Sequence, residues 1–175
     1  MKTIFLLIVI LGGAFYYLYS GRYNVAATVP HTEPVEWMLT EMKEKSIEYH
    51  SRDISTPALD DPSLIEKGFG HYDNMCSGCH GAPGTEPAKG FNPPPPALAE
   101  IAGGIKPRET FWVVKHGIKM TAMPEFGSTH TDDEIWTIAA FVYKLPDMTV
   151  DDYDRMKEKS DGHTHENGHR RRFRV

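Results

Sequence analysis

The sequence predicts an all-α protein in which a small helical domain follows an N-terminal transmembrane helix. Two observations point to this fold class. An apolar run fills residues 4–18, and later segments carry apolar residues at the i, i+3, i+4 spacing of a helix that buries one face. Once the ends of the chain are set aside, about ninety to a hundred residues remain, which is enough for one small core.

The N-terminal segment, residues 1–22, is predicted to be a retained membrane anchor. Its apolar run is shorter than the roughly twenty residues of a typical span. A cleavable signal is the alternative, because the apolar region of a signal has roughly seven to fifteen residues and Val25-Ala26-Ala27 would suit cleavage. Retention is favoured by tyrosines where an interfacial aromatic belt would lie: Tyr16, Tyr17, Tyr19 and Tyr23. Lys2 would then stay in the cytoplasm, and the chain beyond Arg22 would lie outside.

Residues 23–60 are predicted to be a linker that contains an amphipathic helix from Thr32 to about His50. Apolar side chains share one face of this helix: Val35, Met38, Leu39, Met42 and Tyr49. The face could dock on a membrane partner or on the membrane surface. We favour the other interpretation, in which the helix packs on the protein's own domain.

Three helices are predicted within the main domain, residues 61–147: Pro62 to about Asn74, Arg108 to about His116, and a last helix that runs from a capping box at Thr131 to just before Pro146. Gly68 lies inside the first of them. A glycine in a helix interior costs about 1 kcal/mol relative to alanine. We therefore expect another part of the chain to approach the first helix closely at Gly68.

The segment Cys76-Ser77-Gly78-Cys79-His80 has the pattern that attaches a c-type haem. Cys76 and Cys79 would present their sulfurs to the two vinyl groups of one porphyrin, and His80 would be carried beneath the ring to the iron. A redox disulfide or half of a zinc site could use the same two cysteines. The chain has only two cysteines, and no βαβ pattern surrounds them, so we favour the haem interpretation.

Further motifs flank the cysteines. Gly68 and Tyr72 precede them, and Gly81, Pro96-Ala97-Leu98 and Met123-Pro124-Glu125-Phe126-Gly127 follow. With these motifs, residues 61–146 resemble the class I c-type cytochromes. The strings that begin at Tyr23 and Lys115 are similar to those of a bacterial group of membrane-anchored monohaem cytochromes c. The resemblance implies a class I cytochrome c-like domain around one covalent haem c, attached outside the cytoplasmic membrane.

The resemblance also implies which residues surround the iron. The carbonyl of Pro96 would accept the Nδ1 hydrogen of His80, and Leu98 would lie against the haem. The sixth ligand would be Met123, directly before the Pro-x-Phe-Gly string. Met120 and His116 are the alternatives, and a Met120 that is not a ligand is expected to be a core thioether near the haem.

Residues 148–175 are predicted to be a polar, disordered tail, because the last stretch lacks apolar periodicity. Its three histidines could bind a metal weakly: His163, His165 and His169. Its arginines could touch an anionic surface: Arg170, Arg171, Arg172 and Arg174. A metal site needs supported ligands, so a solvated tail is the favoured interpretation.

The expected function is electron transfer, without catalytic residues, by a membrane-tethered one-electron carrier or a small subunit of a respiratory complex. His/Met ligation leaves no open position on the iron. The alternatives are a peroxidase-like or ligand-binding haem protein with a labile sixth ligand, and a metal-handling protein that uses the tail. The net charge of −5 is mixed in sign and argues against nucleic acid. The expected partners are redox proteins at the bacterial cytoplasmic membrane, with the haem domain on its periplasmic side.

Overall fold

The structure is a computed structural model that describes residues 2–166, with side chains as far as residue 160. The described part of the chain contains α-helices, two short 3-10 segments and no named strand, so the predicted all-α class is confirmed. The helices are α1 Lys2–Tyr19, α2 Glu33–Ser51, α3 Pro62–Met75, α4 Ser77–His80, α5 Leu98–Ile101, α6 Pro107–His116, α7 Asp132–Lys144 and α8 Val150–Glu166.

The first helix, α1, is apolar throughout and fully exposed on the protein. Its 18 residues span about 27 Å at 1.5 Å per residue, close to the roughly 30 Å of a bilayer's hydrocarbon core. Among the residues that the structure describes, it is the one helix long and apolar enough to cross a membrane. Its length and composition are therefore compatible with an anchor.

The second helix, α2, contacts α6 through its C-terminal end. Ser51 is fully buried there, and the ring of His50 stacks on Trp112 with 5.7 Å between ring centroids. The predicted apolar face of α2 points elsewhere, and Met38, Met42 and Tyr49 remain half exposed or more. The helix thus packs on its own domain, as favoured, but not through the face that the sequence pattern indicated.

The core lies where α3 crosses α7. A Cβ atom added to Gly68 would lie 2.0 Å from the carbonyl oxygen of Thr137, so the two backbones are in direct contact. Around this point the rings of Phe69 and Phe141 pack edge to face, with 5.6 Å between their centroids. The close approach predicted at Gly68 is therefore confirmed, and α7 is the element that approaches.

The start of α7 has the expected capping box. The Thr131 hydroxyl accepts a hydrogen bond from the Glu134 amide, and the Glu134 carboxylate accepts one from the Thr131 amide at 2.8 Å. Further along α7, Trp136 stacks on Phe111 of α6 with 4.3 Å between ring centroids. The capping box sets where α7 begins, and the aromatic stack packs α7 against α6.

The prediction of a disordered tail from residue 148 is wrong as far as residue 166, because α8 occupies Val150–Glu166. Tyr153 of α8 is buried against Phe69, and its hydroxyl donates to Asp73 Oδ1 at 2.9 Å. Lys157 and Lys159 add ion pairs to Asp73 and Glu66 of α3. Few apolar residues mark α8 in the sequence: Tyr153 and Met156 pack against the core, and ion pairs supply the other contacts. The core thus extends beyond the predicted limit at residue 147.

Candidate haem site

The two cysteines and His80 lie on one continuous turn. Cys76 ends α3, and its amide donates to the carbonyl of Tyr72 at 2.9 Å. The amides of Cys79 and His80 both donate back to the carbonyl of Cys76, at 3.0 and 2.9 Å. Both cysteine side chains are half-buried. The turn therefore offers two sulfurs and one imidazole in the order that a c-type haem requires.

The environment of Cys76 does not suit a redox thiol. Burial, followed by the nearby Cys79, raises the pKa of the Cys76 thiol to about 12. Reactive cysteines have their pKa lowered, because the thiolate is the nucleophile. The Cys76 thiol is therefore uncharged at neutral pH, which fits an apolar partner such as a porphyrin edge.

The imidazole of His80 is oriented by the proline-rich loop. Its Nδ1 lies 3.0 Å from the carbonyl oxygen of Pro96. A carbonyl can only accept, so Nδ1 carries the hydrogen and Nε2 is left with its lone pair. Leu98, at the start of α5, is half-buried against the core. The structure thus brings Pro96 and His80 together in the arrangement that the resemblance implies.

Met123 lies on a loop that is held by hydrogen bonds within itself and to α6. The amide of Ile118 donates to the Met123 carbonyl at 3.2 Å, and the Met123 amide donates to the Thr121 hydroxyl at 3.1 Å. Further on, the amides of Phe126 and Gly127 donate to the carbonyls of Val114 and Lys115, each at 3.0 Å. Met123 is half-buried and packs against the core.

Met120 behaves differently from Met123. Its side chain is 98% exposed, and its backbone has φ of +57°, a left-handed conformation that residues other than glycine rarely adopt. The expectation that Met120 fills the core as a thioether is therefore wrong. The turn around Ile118 and Thr121 points Met120 into solvent, whereas Met123 returns to the core.

Gly117 is a residue of this site that the sequence reasoning did not single out. It has φ of +64°, and an added Cβ would lie 2.8 to 2.9 Å from backbone atoms of Met123, Pro124 and Glu125. Only glycine allows the Met123 loop to come so close to the end of α6. Its place directly after His116, the last residue of α6, is the usual glycine position past a helix end and could have marked it.

These residues fit a haem c. Cys76, Leu98 and Met123 all pack against the same apolar cluster, and all remain partly exposed. An apolar surface that is incompletely covered, with two thiols, a free imidazole nitrogen and a thioether beside it, has the donor set of a His/Met haem. Within residues described with side chains, no group of three or more His, Cys, Asp or Glu could hold a metal ion by itself.

The tail residues that were predicted to contact a metal or an anion lie outside the residues described with side chains. His163 and His165 lie in the last turn of α8, where side chains are not described, and His169 with the arginines lies outside the described residues.

Comparison with known proteins agrees with this geometry. Residues 63–142 match the family model described as "Cytochrome C oxidase, cbb3-type, subunit III". No curated protein and no solved structure matches the chain. The matched range begins in α3, ends in α7 and contains both cysteines, His80 and Met123. Residues 63–142 therefore form a class I c-type cytochrome domain, which carries a covalently bound haem c and supports electron transfer.

Proposed function

We propose that this protein is a membrane-tethered one-electron carrier, or the equivalent small subunit of a respiratory complex, and that it is not itself an enzyme. The observations that support the proposal are the positions of two side chains that could ligate an iron. His80 is oriented by Pro96, and Met123 is held half-buried on a loop bonded to α6. An iron with both axial positions filled can exchange electrons but cannot bind a substrate.

The chain's own residues would hold and shield the group. Cys76 and Cys79 would bind it covalently, and the Pro96 carbonyl would keep the Nε2 lone pair of His80 available to the iron. Met123 would supply a second ligand, and Leu98 and Phe126, which pack against the core, would exclude water from the apolar surface beside it. When bound, haem c supplies an iron that alternates between ferric and ferrous states and so carries one electron.

We also propose that the protein is tethered to a membrane and has redox partners there. The apolar α1 would remain in the bacterial cytoplasmic membrane, residues 23–60 would link it to the domain, and the haem would lie on the periplasmic side. A tether of this length can raise the local concentration of the carrier near membrane-bound partners to about the millimolar range. The name of the matched family supports a redox partner within a respiratory complex.

The first experiment tests the ligands. Mass spectrometry of the denatured holoprotein should retain the mass of the haem, since two thioethers hold it. Met123→Ala should abolish the near-infrared sulfur-to-iron band, lower the potential and open the ferrous iron to carbon monoxide. For one electron, each 59 mV or so is a factor of ten in the equilibrium with a partner.

Met120→Ala is the matched control, since it removes a thioether three residues away whose side chain is almost fully exposed. It should keep the His/Met spectrum. The opposite result, with Met120 required and Met123 dispensable, would refute the ligand assignment. Carbon monoxide binding by the unsubstituted ferrous protein would instead favour the alternative of a ligand-binding or peroxidase-like haem.

The second experiment tests the tether. Amino-terminal sequencing of protein purified from native membranes should give a chain that still contains α1. A mature chain that begins at Thr28 would show that the segment is a cleaved signal.

A further inference from the structure

Two histidines outside the haem site lie beside each other on different elements. His71 projects from α3, and His130 lies in the turn between the Met123 loop and α7. Their ring centroids are 5.4 Å apart, and the ring planes meet at 74°. Neither is used by the electron-transfer mechanism, and both are half-buried.

Hydrogen bonding is compatible with a metal-binding tautomer of His130. Its Nδ1 lies 2.9 Å from the hydroxyl oxygen of Thr129, and that oxygen lies 3.2 Å from the carbonyl oxygen of Phe126. In the tautomer that carries its hydrogen on Nδ1, His130 donates to the Thr129 oxygen and keeps a lone pair on Nε2 for a metal. A histidine that ligates a metal characteristically donates its other ring hydrogen in this way.

The spacing of the rings also suits a metal. Two imidazoles bound tetrahedrally to one zinc ion, with Zn–N bonds of about 2.1 Å, have ring centres about 5 Å apart. The charges nearby are mixed. The Glu134 carboxylate of α7 interacts with both rings, while Lys67 shares with His71 the lining of a shallow open pocket on α3.

We propose that His71 and His130 form a two-histidine site for a borderline divalent metal ion of the zinc class, with water completing the coordination shell. The ion would join α3, which Cys76 follows directly, to the turn that follows the Met123 loop. It would thus tie together the two segments that carry the covalent attachment and the loop ligand. The site is separate from the haem iron and does not depend on the proposed function.

The test uses full-length holoprotein in detergent and Zn²⁺ as the probe. The background carries His163→Gln, His165→Gln and His169→Gln, so that the tail contributes no imidazole. Calorimetry should give one Zn²⁺ per chain. In the ferrous, diamagnetic protein, Zn²⁺ should shift the NMR signals of two imidazoles. Binding should weaken as the pH falls, since neutral imidazole is the ligand.

The variants assign the ligands. In this background, either His71→Gln or His130→Gln should weaken Zn²⁺ binding by more than about tenfold, and Thr129→Ala by about tenfold. His31→Gln, which removes a histidine of the linker, should leave it unchanged. Unchanged affinity in the His71→Gln, His130→Gln double variant, or absence of saturable binding in the background protein, would overturn the proposal. The NMR shifts in the background protein decide the matter even if a variant folds poorly.

Discussion

Replacing Gly117 by alanine tests how tightly the Met123 loop is fitted to the end of α6. The φ and ψ of Gly117, +64° and −172°, lie in a region that is nearly restricted to glycine, so a side chain there costs about 1–3 kcal/mol of backbone strain. The added Cβ would also lie 2.8 Å from the Glu125 amide nitrogen and the Pro124 carbonyl carbon. Ordinary contact begins at 3.4 Å, so from 2.8 Å the loop must move by about 0.6 Å.

These contacts are with backbone atoms, which cannot rotate away as a long side chain can. Overpacking of this kind costs about 1–3 kcal/mol, so the total is roughly 2–6 kcal/mol. The loop lies at the surface and moves more easily than the α3–α7 core. We therefore expect Gly117→Ala to displace Met123, the proposed ligand, from the iron while the haem stays covalently attached.

The assay is the intensity of the near-infrared sulfur-to-iron band in the ferric protein, with carbon monoxide binding in the ferrous protein as the second readout. Gly90→Ala is the control: Gly90 also has a positive φ, +91°, but an added Cβ would meet nothing within 4 Å. It should keep the band. A Gly117→Ala protein with a full band and no carbon monoxide binding would refute the argument that backbone contact positions the ligand.

Three further predictions concern stability, measured by denaturant unfolding of the holoprotein. Gly68→Ala should destabilise by about 1–3 kcal/mol through the α3–α7 contact, whereas Gly70→Ala, on the same helix with open space around it, should stabilise by up to about 1 kcal/mol; equal effects would contradict the contact. Tyr153→Phe should lose about 1.5–3 kcal/mol with the hydrogen bond to Asp73, and an unchanged midpoint would show that α8 does not depend on it. Burial, then the neighbouring His130, lowers the pKa of His71, so the unfolded chain binds the proton more readily; in metal-free buffer, stability should fall as the pH drops through 6.5 towards the lowered value, and His71→Gln should show a smaller fall.

The parts of the fold that were predictable are those in which local chemistry is restrictive. Two thiols and an imidazole must share one turn to bind one porphyrin, so the haem attachment site at Cys76 can be predicted from that segment alone. Gly68 was informative because a glycine inside a helix is unfavourable unless something occupies the space of its Cβ. The capping box at Thr131 is likewise a local pattern, and α7 begins where it indicates.

The features that were missed depend on contacts between distant residues. Tyr153 and Asp73 are 80 positions apart, and their hydrogen bond holds a helix whose own sequence is mostly charged. The exposed face of α2 has the same origin: the stacking of His50 on Trp112 decides which side of the helix meets the domain, and an apolar pattern cannot anticipate it.

The two methionines of the Met123 loop were hard to tell apart for a more local reason. Met120 and Met123 are chemically identical and three positions apart, and only the turn between them sends one outward. That turn is held by local hydrogen bonds among Ile118, Thr121 and Met123, and these residue types do not by themselves specify one turn conformation.

The outward position of Met120 has a practical consequence. A thioether that is almost wholly in solvent is readily oxidised to the sulfoxide, whereas a thioether packed against the core, as Met123 is, is shielded. Brief treatment with peroxide should therefore place one oxygen on Met120 before it reaches Met123. Met120 then serves as an intrinsic footprinting label: any protein that covers the Met123 loop will slow the appearance of the sulfoxide on the peptide that contains Met120.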